Sequence, residues 1–124
     1  MKPLDLIKYA TKAQKNSQSK YSNFAVGCAL LSENDEVTPG CNIESAVYPS
    51  TLCAERVAIY SALSQGITDF KAIAIVSENA AKPCGSCRQI IYEYLGNIPI
   101  YIATGKDQQF ETYNIKDLLP YPFG

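Results

Sequence analysis

The sequence contains a Cys-Ala-Glu-Arg run at 53–56 and a Pro-Cys-Gly-Ser-Cys-Arg-Gln run at 83–89. Each reads as the start of a helix. Together they hold Cys53, Cys84 and Cys87, three of five cysteines, with Glu55 two places after the first; the chain has no histidine. Unpaired N–H groups and the dipole at a helix N-terminus favour a thiolate over a thiol. Three protein ligands with an open fourth position describe a catalytic zinc, whereas four describe a structural one.

Cys84-Gly-Ser-Cys87 alone fits a redox dithiol or half of a structural zinc site, and favours metal over redox only weakly. Cys53 shifts the balance, because a third thiol at a helix start, after a capping-type Ser50-Thr51 pair, argues for convergence on one point. A closed Cys₄ site would need Cys28 or Cys41. Cys28 lies in the apolar run AVGCALL and reads as core, and Cys41 ends a strand, where a free cysteine is an ordinary small hydrophobe. Side chains two apart on a helix point about 200° away from each other. Cys53 and Glu55 therefore share a site only if the motif straddles the helix start. Arg56, three residues after Cys53, shares its face and is placed to donate to the sulfurs, relieving their negative charge.

The elements that position these groups follow from periodicity. Leu4, Ile7, Tyr9, Ala10 and Ala13 recur at near-helical spacing, predicting a helix that ends around Ser17. NFAVGCALLS and VTPGCNIE flank the polar turn ENDE and read as a hairpin, with Pro39 marking an edge strand or a bulge. A helix over 52–65 ends at Gly66, KAIAIVS reads as a central buried strand, and a helix over 84–95 ends at Gly96. IPIYIA and FETYNI are further strands, and a short helix over 115–119 precedes PYPFG. This order predicts an α/β three-layer domain: one mixed five-stranded sheet with helices on both faces, all within 1–124.

Composition excludes several alternatives. The chain has 124 residues, 47% hydrophobic and 19% charged, with eleven basic against twelve acidic residues and a net charge of -1. No basic run offers a footprint for nucleic-acid phosphates, so no nucleic-acid partner is expected. No apolar stretch approaches membrane-span length, so no membrane association is expected. The amphipathic start MKPLDLIKYATKAQKN lacks a signal-peptide core. A cytoplasmic location is expected, where reduced cysteines serve metal binding or catalysis.

CAER followed by PCGSCRQ matches the thiolate-rich form of the zinc deaminase signature. The chain resembles the small homotetrameric cytidine deaminases almost end to end, through YSNFAVGCALL, GCNIESAVY and LLPYPFG. The resemblance implies one Zn²⁺ per chain on Cys53, Cys84 and Cys87, with Glu55 carrying protons to N3 and to the departing amino group of cytidine or 2′-deoxycytidine. It implies that Phe24 packs on the pyrimidine, that the Ala54 N–H holds its O2, and that Asn42 and Glu44 bind the ribose hydroxyl. Tyr48 and Phe123 would complete a neighbouring subunit's site within a homotetramer. Lys20 stands where the family often has proline, and Val47 where a smaller residue is usual, which bears on pocket shape. Two other readings stand beside this one: a deaminase of a modified pyrimidine nucleoside or an aminoacylnucleoside antibiotic, and a non-enzymatic zinc module. The second would need a fourth ligand and would not need Glu55.

Overall fold

The structure, a computed structural model, describes residues 1–124. The elements run α1 (Pro3–Gln14), β1 (Val26–Ser32), β2 (Val37–Cys41), a short 3₁₀ turn (Tyr48–Ser50), α2 (Ala54–Ser64), β3 (Phe70–Ser77), α3 (Gly85–Leu95), β4 (Ile100–Ala103), β5 (Glu111–Tyr113) and α4 (Ile115–Leu118). The expected five-stranded mixed sheet is present in the order β2-β1-β3-β4-β5. Only β3 and β4 run parallel, joined through α3; every other neighbouring pair is antiparallel.

β1 and β3 are apolar throughout because both faces of the sheet are covered. Cys28 and Leu30 of β1 and Ile73 and Ile75 of β3 pack towards α2, α3 and α4. Their neighbours Ala29, Leu31, Ala72, Ala74 and Val76 pack towards Leu6, Ile7 and Ala10 of α1. The two-residue alternation of strand side chains thus divides one apolar run between two cores. Pro39 lies on the edge strand opposite Ala29, where its missing N–H costs no ladder bond on the open side. Two glycines set the closeness of the layers. Gly27 lies directly under Ala10 and Gln14 of α1, and Gly40 directly under Ala54 and Ala58 of α2.

Two helix boundaries are tighter than the sequence pattern indicates. α1 stops at Gln14, and α2 begins at Ala54, with Leu52 outside it. Leu52 instead exchanges both backbone hydrogen bonds with Ile43, at 3.0 and 2.9 Å. That bridge ties the residue before Cys53 to the segment between Asn42 and Glu44.

Candidate active site

Cys53 is the N-cap of α2 and Cys84 the N-cap of α3. The expected Ser50-Thr51 cap is therefore corrected: Thr51 Oγ1 accepts from the Ser45 N–H at 3.1 Å, and no side chain caps α2. The thiol itself occupies the cap position, beside first-turn N–H groups that have no intrahelical partner. At α3 the arrangement is explicit, because the Cys84 sulfur accepts from the Cys87 N–H at 3.4 Å. The motif at Cys53 straddles the helix start as the Cys53–Glu55 spacing requires.

The sulfurs of Cys53, Cys84 and Cys87 all lie within 4.8 Å of one another. Cys53 Sγ and Cys84 Sγ are 3.6 Å apart. Bonds of about 2.3 Å to a tetrahedral zinc place two sulfurs about 3.8 Å apart, so the spacing fits that ion. Cys28 is buried in the core and Cys41 sits at the strand end, and neither joins the cluster. The donor set is three thiols, without the fourth ligand that a structural zinc module needs.

Arg56 lies as its spacing predicts, with Nη2 donating to Cys53 Sγ at 3.5 Å. Its Nε is buried with no acceptor, so the guanidinium faces the cluster instead of a carboxylate. Hydrogen bonds from Cys87, Arg56 and Cys84 outweigh partial burial and lower the Cys53 thiol to about 5. Cys87, which donates to Cys53 and is buried, holds its proton more tightly than an ordinary thiol. Arg56 is held more firmly protonated by its bond to Cys53. A cation beside three sulfurs draws charge from them, and a metal ion replaces the protons they otherwise share.

Glu55 is 4% exposed. Burial raises its carboxyl to about 7, with the charge of Cys53 adding and the Glu55 N–H and the Cys87 thiol opposing. A carboxyl that titrates near neutrality, next to a metal-binding cluster, is suited to taking and returning a proton.

Cys53, Cys84 and Glu55 form one end of a cavity of about 320 Å³, whose lining also includes Phe24, Asn42, Glu44 and Ala54. Phe24 is half-buried on the segment leading into β1. Asn42 is buried and its amide is largely engaged within the chain: Oδ1 accepts from the Val26 N–H at 3.0 Å and from the Ser17 hydroxyl, and Nδ2 donates to the Phe24 carbonyl at 2.8 Å. One Nδ2–H remains. Glu44 accepts from the Tyr21 and Ser22 N–H groups at 3.0 and 3.1 Å and from the Ser22 hydroxyl. These bonds hold the 21–24 segment, and with it Phe24, over the cavity. Tyr48 and Phe123 do not line this cavity; they are 77% and 86% exposed, and Tyr48 borders a smaller adjoining hollow with Glu44 and Ser22.

Three cavity residues escape a reading of the sequence alone. Ser77 ends β3 and is buried, accepting from the Ala81 N–H at 2.9 Å and donating to Asn79 Oδ1 at 3.3 Å. It shapes the loop that delivers Lys82 and Cys84. Lys82 is a cation on the lining, with Nζ 5.3 Å from the Tyr113 ring centroid. Ser22 bridges Glu44 and the Phe24 N–H. The only signal for any of them was a polar residue closing an apolar strand, at Ser77.

Comparison with known proteins agrees with this geometry. The family model described as "Cytidine and deoxycytidylate deaminase zinc-binding region" matches residues 2–103. A cytidine deaminase of Sporosarcina psychrophila is 43% identical over 121 residues, spanning 95% of this chain and 88% of that protein. A crystal structure of cytidine deaminase from Burkholderia pseudomallei superimposes with a TM-score of 0.91 at 37% identity, covering 99% of this chain and 100% of that one. A blasticidin-S deaminase of Bacillus cereus is 29% identical over 108 residues, spanning 79% of this chain and 76% of that protein. With the thiol cluster, the buried glutamate and a family model spanning most of its length, the chain belongs to the zinc-binding cytidine and deoxycytidylate deaminase family.

Proposed function

We propose that this chain hydrolyses cytidine and 2′-deoxycytidine to uridine and 2′-deoxyuridine with release of ammonia, a pyrimidine-salvage reaction of the cytoplasm. The observation that carries the proposal is the meeting of three thiols and a buried carboxylate at one end of a cavity whose polar lining includes Glu44 and Asn42. Zinc, when held by Cys53, Cys84 and Cys87, lowers the pKa of water and so supplies the nucleophile at neutral pH.

The chain's own residues do the rest. Glu55 takes one proton from the nucleophile and delivers it to N3 of the pyrimidine, then takes the second from the hydroxyl now on C4 and passes it to the leaving amino group, acting as base and then as acid. The Ala54 N–H, at the first position of α2, donates to the O2 carbonyl and is part of a terminus that favours negative charge there. Phe24 covers the ring. Glu44 retains acceptor capacity beyond its bonds to the 21–22 segment, and Asn42 has its one spare N–H; both are directed at a sugar hydroxyl. Arg56 moderates the thiolate charge so that the metal stays a useful Lewis acid. Tyr48 and Phe123, exposed on a single chain, supply walls to neighbouring pockets in a homotetramer.

Ammonia release across cytosine, cytidine, 2′-deoxycytidine and N4-substituted nucleosides tests the substrate. The sugar contacts predict cytosine to be a very poor substrate, because binding energy from the sugar orients the base at the reacting centre. Equal rates on cytosine and cytidine, or turnover confined to a substituted nucleoside, would contradict it.

A further inference from the structure

Beyond α4 the chain ends in Pro120-Tyr121-Pro122-Phe123-Gly124. A terminal segment of this kind frays unless something fastens it. Here it is fastened at its far end by one side chain. Gln89 Nε2 donates to the Phe123 carbonyl at 2.8 Å, and Gln89 Oε1 accepts from the Phe123 N–H at 3.0 Å. Both main-chain groups of Phe123 are thus satisfied by a single amide, as a neighbouring strand would satisfy them. Gln89 Nε2 also donates to Glu93 Oε1 at 3.3 Å, one turn along α3, which orients the amide. The Tyr92 hydroxyl donates to the Gly124 carbonyl at 3.4 Å.

The ring gains nothing from this anchoring. Phe123 remains 86% exposed and Tyr121 92% exposed, although an apolar core lies beneath the same helix. A tail anchored for its own stability would turn its aromatic ring inward, where burial of such a side chain contributes most. This one fixes the backbone and holds the ring out. The residue before Gln89 binds the same region: Arg88 Nη1 donates to the Leu118 carbonyl at 2.7 Å and Nε to the Pro83 carbonyl at 2.8 Å. Consecutive residues of α3 therefore carry a sulfur of the thiol cluster, the tether to α4 and the grip on Phe123.

We infer that Gln89 is a positioning residue, which presents Phe123 to the pocket of a second copy of this chain. The inference rests on the proposed role of Phe123 in a neighbouring site. Gln89 then acts on turnover only through Phe123, by removing the disorder that a free tail would have to lose on docking.

The test is a double-mutant cycle on the zinc-loaded oligomer, with KM and kcat for Gln89→Leu, Phe123→Ala and the combination, alongside hydrogen exchange at the C-terminal amides. Two neutral hydrogen bonds are lost in Gln89→Leu, so KM should rise roughly tenfold with little change in kcat. Exchange at the Phe123 N–H should accelerate. In the Phe123→Ala background the same substitution should add almost nothing. Gln89→Glu keeps an acceptor for the N–H but loses the donor to the carbonyl, and should fall between wild type and Gln89→Leu; it also serves as the probe if the leucine variant folds poorly. Equal effects of Gln89→Leu in both backgrounds, or unchanged KM with accelerated exchange, overturn the positioning role alone. Wild-type kinetics for Phe123→Ala overturn the trans role itself, and the Gln89 inference with it.

Discussion

Gly40 on the edge strand lies so close beneath Ala54 that a Cβ there would meet the Ala54 carbonyl oxygen, with the Ala58 N at 2.6 Å and the Ala58 Cβ at 2.8 Å. The obstruction is backbone, which cannot swing aside as a side-chain tip can. Ala54 stands between Cys53 and Glu55, so whatever lifts α2 from β2 moves a sulfur and the carboxylate together. Gly40→Ala should cost about 1–3 kcal/mol through overpacking and lower zinc affinity as well as turnover. Thermal unfolding with metal analysis checks this. A variant of native stability with full zinc content would show that α2 has slack at its first turn.

The metal set makes a separate prediction. The cluster contains Cys53, Cys84 and Cys87, while Cys28 is fully buried between the sheet and its helices. Cys28→Ala should retain one zinc per chain, at some cost in packing, and Cys84→Ala should lose it. Atomic absorption on purified variants decides the matter; zinc loss from Cys28→Ala would mean a fourth ligand and a structural site.

Much of this was legible in the sequence, for local reasons. Apolar runs such as KAIAIVS announce a strand buried on both faces, Pro39 announces an edge, and cysteines at two helix starts announce converging thiols. What stayed hidden depends on side chains reaching backbone far along the chain. Thr51 looks like a cap until its hydroxyl is seen accepting from Ser45. Asn42 reads as a free polar group at a strand end, yet most of its amide joins the start of β1 to Ser17, three residues beyond α1. Gln89 reads as an ordinary polar helix position, because nothing local indicates a partner 34 residues later.

Glu55 lies in the cavity with its carboxylate buried. Glu55→Gln keeps the shape and removes the basic group. The variant should fold and hold zinc, while turnover falls by roughly 10²–10⁴-fold, the usual contribution of general acid–base catalysis. Single-turnover ammonia release at matched zinc content measures this. Near-native activity would exclude Glu55 as the proton carrier.

Glu44 gives a pH-dependent signature away from the thiols. The hydrogen bond from the Ser22 hydroxyl, with those from the Ser22 and Tyr21 N–H groups, outweighs desolvation and lowers its pKa from the ordinary glutamate value. A depressed folded-state pKa contributes stability that is present above the unfolded value and lost as pH falls through the folded one. The 21–24 segment should therefore stay docked at pH 5 and loosen only in stronger acid. The Tyr21 and Ser22 amide resonances should titrate with a midpoint below that of an ordinary glutamate, and Glu44→Gln should abolish that titration. A midpoint at or above the ordinary glutamate value would mean that these bonds do not hold in solution.

Shared pockets can be tested by mixing. Glu55→Gln chains lack the proton carrier but keep Phe123, and Phe123→Ala chains keep the carrier but lack the exposed ring. Each homogeneous assembly is then defective at every pocket. In co-refolded assemblies, some pockets combine a sound Glu55 from one chain with a sound Phe123 from another. Exposure of Phe123 on the single chain is consistent with such an exchange, since the ring reaches no part of its own cavity. Activity of the mixture should exceed that of either variant alone and rise with the fraction of mixed assemblies, counted by native mass spectrometry. If mixed assemblies form and the activity is only the weighted average of the parents, Phe123 serves no pocket but its own chain's surface.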